Sequence, residues 1–217
     1  MHVSLVGSEM CIRDRIQTIL PPAITTALYF LIFGSLIGSR IGNMPGYEGL
    51  SYIEFMVPGL IMLSVITNSY ANVASAFFGT KFQKSIEEII VSPMPAWVIL
   101  IGFLAGGIAR GVIVGIVVVL TSLFFVDISI NNYFLTCFSI IITSLLFSLL
   151  GLMNGIYARN FDDVSIVPTF VLTPLIYLGG IFYSINILSP EWQIVSQLNP
   201  ILYLSLIHIS EPTRLTC

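Results

Sequence analysis

Few residues in this 217-residue chain have the type and spacing to do chemistry, and they fall into two groups. The first lies inside apolar stretches: Asn68 and Asn72 in one, Arg110 in another. An amide or guanidinium in hydrocarbon must find a protein partner, a water-filled path or a ligand, because lipid offers no hydrogen bonds. Arg110 could therefore hold an ion pair or meet a substrate headgroup. The simpler reading has the long third stretch starting late, so that Arg110 snorkels to the membrane surface among the neighbouring glycines.

The second group is polar and flanks the apolar stretches: Lys81, Phe82, Lys84, Glu87 and Glu88 within FGTKFQKSIEEIIVS, and Asp162 and Asp163 within NFDD. Across residues 78–92, Phe78, Phe82, Ile86, Ile89 and Ile90 recur at helical spacing with charged residues between them, the pattern of an amphipathic surface helix. Its two lysines balance two glutamates, which suits docking to a protein better than attraction to anionic lipid. Asp162 and Asp163 stand at the predicted start of a helix, where carboxylates either cap open N–H groups or meet a partner.

Several function classes are excluded. No GxxxxGKS or GxxxxGKT phosphate loop, HExxH, GxSxG or GxGxxG occurs, so the chain offers no nucleotide, catalytic or cofactor site of its own. Cys11, Cys137 and Cys217 have neither CxxC nor Cys/His spacing, which argues against a metal site. A net charge of -3 without any Lys/Arg cluster gives nucleic acid no surface.

The elements that must position these residues are membrane spans. The composition is 56% hydrophobic and only 9% charged, with a mean hydropathy of +0.98. A soluble domain has roughly a quarter of its residues charged, and no soluble core could bury so much apolar surface. The expected class is an all-α polytopic membrane protein. Apolar runs predict spans at about residues 17–37, 55–77, 96–125, 133–157 and 164–183, each near the roughly 20 residues that cross the bilayer core. An amphipathic helix over 78–92 joins the second and third spans. Pro93 and Pro95 end it, Trp97 can anchor the next span, and residues 184–203 read as an interfacial segment. Lys81, Lys84 and Arg159 then share one side against Arg40 on the other, which predicts that the amphipathic helix and the 158–163 turn are cytoplasmic.

Both ends carry a different signal. Residues 5–15 can be encoded by a DNA stretch whose opposite strand translates to residues 204–214. That oligonucleotide resembles a transposon-end adapter used in sequencing libraries. Residues 1–15 and 204–217 are therefore expected to be adapter-derived, leaving a native segment of about 16–203 cut at both ends.

That segment resembles the permease subunit of ABC-2 type exporters. The likeness is most specific at FMVPGLIMLSVITNSYANVASAFFGTKFQKSIEEIIVSPMP, at NFDDVSIVPTFVLTPLIYLGGIFYSI and at LNPILY. It implies six spans, of which five are present here. It also implies an N-terminal elbow helix, replaced here by the first adapter segment, and an external re-entrant pair before the missing sixth span. By position, residues 81–90 would be a coupling helix touching an ATP-binding subunit, and residues 160–163 a second, shorter contact. ATP and Mg would reside on that separate subunit, and the permease would form a homodimer in the bacterial inner membrane, exporting a lipid, glycan or hydrophobic compound. An ATP-independent secondary transporter or channel is the alternative. It would want coupling-ion residues or an inverted repeat, and the sequence shows neither clearly.

Overall fold

A computed structural model describes residues 20–33, 52–84, 95–126, 133–181, 189–197, 199 and 201. Both expected adapter segments, residues 38–51, Glu87 and Glu88 lie outside the described residues. What is described is helix and turn, with no strand among it.

Helix α1 covers Leu20–Phe33. Helix α2 runs Tyr52–Phe82, α3 Ala96–Leu123 and α4 Tyr133–Tyr157. By length and composition these three are able to cross a membrane. They correspond to the second, third and fourth predicted spans. The fifth predicted span is built from α5 (Phe161–Val167), a π-helical turn (Pro168–Leu172) and α6 (Thr173–Tyr177), and α7 (Pro190–Gln197) follows.

α2 is the central element. Met62, Ile66, Tyr70 and Ala74 of α2 share a core with Phe147 of α4, Leu172 and Ile176 of the fifth segment, and Ile181 and Ile201 beyond it. A second cluster joins Phe30 of α1 to Tyr52, Phe55, Met56, Val57 and Leu60 near the start of α2. Phe30 also stacks on Phe125 just past α3, with ring centroids 5.5 Å apart. The end of α1, the start of α2 and the end of α3 thus meet at one end of the bundle. Up-and-down helices require that arrangement.

Hydrocarbon supplies no hydrophobic force between helices, so close backbone approach must hold them together. Glycine and serine provide it. A Cβ on Gly111 of α3 would lie 2.1 Å from Ser69 Oγ and 2.3 Å from Ser144 Oγ, and one on Gly107 would lie 2.4 Å from Val73 Cγ2. On α4, a Cβ at Gly151 would lie 2.5 Å from the Tyr70 carbonyl oxygen. Ser69 and Ser144 hydroxyls hydrogen-bond across α2 and α4 at 2.8 Å. Gly102, by contrast, has nothing within 4 Å and takes no part in this seam.

The fifth segment changes register at its prolines. Pro168 has no N–H to give to the Val164 carbonyl four residues back, and its ring crowds that turn. The helix widens instead, so that Thr173 N–H reaches the Pro168 carbonyl. The orphaned Val164 carbonyl accepts a hydrogen bond from Asn154 Nδ2 of α4 at 3.1 Å. At the other end, Asn199 Nδ2 donates to the Leu175 carbonyl near the close of α6, while Asn199 Oδ1 accepts from Ile201 N–H at 3.1 Å. The turn after α6 includes Gly180 at φ 71°, a left-handed conformation that glycine adopts without strain.

One expected boundary moves. The amphipathic segment was expected to begin a separate helix at Phe78, but α2 continues unbroken through Phe82. The chain leaves it at Gln83 and Lys84, where Lys84 has φ 58°. Phe78 packs inward at 2% exposure, so its position in the apolar pattern belongs to the end of α2. Residues 85–92 lie outside the described residues.

Candidate functional site

Two groups of predicted residues come together, at different depths. The first is at the end of the bundle where α2 stops and α4 turns into α5. Lys81, in the last turn of α2, donates to the Ile156 carbonyl at 2.9 Å and the Ala158 carbonyl at 2.8 Å. These are C-terminal carbonyls of α4, which carry the negative end of the helix dipole and otherwise have no intrahelical donor. Beside that contact, Phe161 of α5 meets Phe78 and Phe82 edge to face, with centroids 4.8 and 4.9 Å away.

Asp163 has a structural task. Its Oδ2 accepts the Arg159 N–H at 2.9 Å and the Asn160 N–H at 3.2 Å, so it sits at the N3 position of a capping box. Those bonds, first from Arg159 and then from Asn160, hold its carboxyl below the usual carboxylate range. Asp162 and Lys84 are exposed at the same end. Lys81, Phe82, Lys84, Asp162 and Asp163 therefore belong to one continuous surface. Sequence spacing had set them in two segments about 80 residues apart. Glu87 and Glu88 cannot be assigned to it, being outside the described residues.

The second group lies inside the bundle. Arg110, midway along the 28-residue α3, donates from Nη1 to Asn72 Oδ1 of α2 at 2.8 Å. α3 begins at Ala96, where the apolar run predicts it, and Arg110 is half-buried midway along it. A charge in an apolar bundle costs about 3 kcal/mol when it has no partner, and the contact with Asn72 helps to offset that. Asn68 lies one turn before Asn72 on α2, and its Nδ2 donates to the Ser64 carbonyl at 2.9 Å. Together with residues of α1, Asn68 and Arg110 line a cavity of about 450 Å³.

Asn154 was not singled out from sequence, and Asn199 and Phe161 entered only within the strings LNPILY and NFDD, with no role of their own. Asn154 carried a faint signal, an amide near the end of an apolar run ahead of a proline-containing one. Which carbonyl it serves depends on packing.

A bundle of apolar helices of spanning length, with Arg110 of one hydrogen-bonded to Asn72 of another, is an all-α membrane protein in architecture. The chain belongs to the ABC-2 type transporter family, whose model matches residues 9–205. It is 58% identical over 192 residues to the inner membrane transport permease YadH of Escherichia coli K12, an alignment covering 88% of this chain and 74% of that protein. It is also 25% identical over 177 residues to nodulation protein J of Rhizobium meliloti, covering 80% of this chain and 66% of the relative. No solved structure matches. The chain is accordingly a multi-pass inner-membrane transport permease subunit.

Proposed function

We propose that this permease exports its substrate with energy from ATP hydrolysed on a separate ATP-binding subunit, and that the surface around Lys81, Phe82, Lys84 and Asp162 receives that subunit on the cytoplasmic side. The observation that carries the reading is the joining of the end of α2 to the α4–α5 turn through Phe82, Phe161 and Lys81. A push on such a surface moves two helices together. Closure of the ATP-binding subunits would then shift the population between inward-open and outward-open arrangements. ATP and Mg reside on the partner in this reading. The permease works as a homodimer, and its cargo is a lipid, glycan or hydrophobic compound.

The test is to co-express the full permease with the ATP-binding subunit encoded beside it and to replace Lys84, Glu87 and Glu88 together by alanine. Loss of co-purification and of permease-stimulated ATP turnover is expected. Unchanged association and turnover would remove the coupling assignment, and substrate transport by the purified permease alone would favour the ATP-independent alternative.

A further inference from the structure

The seam between α2, α3 and α4 repeats itself one helical turn further along. Ser144 and Ser148 stand four residues apart on α4, as do Gly107, Gly111 and Gly115 on α3 and Val65, Ser69 and Val73 on α2. Gly111 faces Ser69 and Ser144, Gly107 faces Val73 and Ser148, and Gly115 faces Val65. Ser69 and Ser144 are hydrogen-bonded at 2.8 Å. The Ser148 hydroxyl, one turn on, is fully buried and has no hydrogen-bond partner among the described residues. A buried hydroxyl left unmet is costly and calls for a reason.

A slide of α2 by one turn, about 5 Å, toward its own C-terminal end supplies one. α2 and α4 run in the same direction, since 69 lies by 144 and 73 by 148, so this slide carries Ser69 to Ser148 and Gly107. The neighbouring contacts find equivalents. Val65 passes from Gly115 to Gly111, and the Tyr70 carbonyl from Gly151 to Gly155, which now faces the Ala74 carbonyl. Ser144, on losing Ser69, has the Gly107 and Ile108 carbonyls at 3.4 and 3.5 Å as acceptors. Asn68 rises to the level Asn72 now holds, beside the recess that Arg110 lines. Phe78 takes the place of Phe82 against Phe161, a ring that both already touch. Leu172, Ile176 and Ile181 pack on α2 and travel with it, and the wide turn over Pro168–Leu172 takes up the shift relative to α5. The opposite slide has no such match, because it brings Ser69 to Ile140, which carries no hydroxyl.

We propose that α2 has two registers against α3 and α4, one turn apart, in which Ser69 exchanges Ser144 for Ser148. A packed seam with two discrete fits is bistable, so this is a conformational switch built into the permease itself. It goes beyond the coupling reading and stands whether or not an ATP-binding subunit docks.

The test is the electron-spin distance between labels on Lys84→Cys and Phe124→Cys, both exposed and at opposite ends of the bundle. The background is the purified full chain with Cys11, Cys137 and Cys217 replaced by serine, diluted with excess unlabelled chain so that distances within one chain are read. Two distances are expected, the longer by about 5 Å. Ser148→Ala removes the partner used in the shifted register and should deplete the longer distance. Ser144→Ala removes the partner used in the observed register and should enrich it by about fivefold, the ratio that loss of one ordinary hydrogen bond sets. Any other pattern overturns the proposal, including a single distance in all three chains or both substitutions moving the ratio the same way. If the labelled chains do not fold, disulfide formation in membranes decides. Ser69→Cys should then cross-link with Ser144→Cys and with Ser148→Cys but not with Ile140→Cys, and failure at 148 or equal reaction at 140 overturns it. Because no ATP-binding subunit is needed, a failure of coupling leaves this result untouched, and the reverse holds too.

Discussion

The ring of Phe82, at the last residue of α2, stands edge-on to that of Phe161, the first residue of α5, with centroids 4.9 Å apart. Two segments distant in sequence become a single surface through this pair. Aromatic edge-to-face pairs contribute about 0.5–1.5 kcal/mol beyond area burial. A double-mutant cycle of Phe82→Ala and Phe161→Ala, read by reversible unfolding in detergent, should return a coupling energy in that range. Strict additivity would mean the rings merely lie side by side.

Lys81 supports the same junction from below. Its ammonium caps carbonyls at the end of α4, a contact of the kind that contributes about 0.3–1 kcal/mol at a helix C-terminus. Lys81→Met, which keeps the apolar stem, should lower stability by that amount and speed hydrogen exchange of backbone amides in the 158–163 turn. Lys81→Arg should largely restore both.

The helix seam separates two glycines that sequence alone treats alike. Gly151→Ala would drive a Cβ against the Tyr70 carbonyl, a backbone atom that cannot swing away, and should cost about 1–3 kcal/mol. Gly102→Ala meets nothing and should be neutral or stabilising by up to about 1 kcal/mol through helix propensity. Unfolding midpoints of the two variants check this contrast.

Asp163 makes the α4–α5 turn sensitive to acid. Its folded carboxyl is held below the ordinary range by N–H groups of Arg159 and Asn160, so the stabilisation is present above the unfolded carboxylate value and is lost as pH falls through the folded one. Amide resonances of Arg159 and Asn160 should titrate together, with a midpoint below that of an ordinary aspartate carboxyl. Asp163→Asn should abolish that titration.

Much of the fold could be read from hydrophobic run length, because the bilayer imposes a length on any helix that crosses it. α2, α3 and α4 lie where the apolar runs put them. The end of α2 was misplaced because Phe78 and Phe82 fit both the last turns of a span and the first turns of a surface helix, and periodicity cannot choose between them. The pairing of Arg110 with Asn72 could not be read either: each was visible as a polar residue needing a partner, but which partner depends on helix rotation and depth. Asn154 and Asn199 were missed for a related reason. Each satisfies a backbone carbonyl, Val164 near the Pro168 register change and Leu175 at the end of α6, and backbone carbonyls leave no mark in a sequence.

The central claim is that the Phe82–Phe161 end of the bundle receives an ATP-binding subunit, and cysteine cross-linking tests it most directly. In a background with Cys11, Cys137 and Cys217 all replaced by serine, single cysteines at Lys84, at Asp162 and, as a control just past the far end of α3, at Phe124 would be treated with a short thiol cross-linker in membranes containing both subunits. The account predicts that the cysteines at positions 84 and 162 both trap the ATP-binding subunit while the one at 124 does not. Trapping at 124, or at neither 84 nor 162, would contradict it.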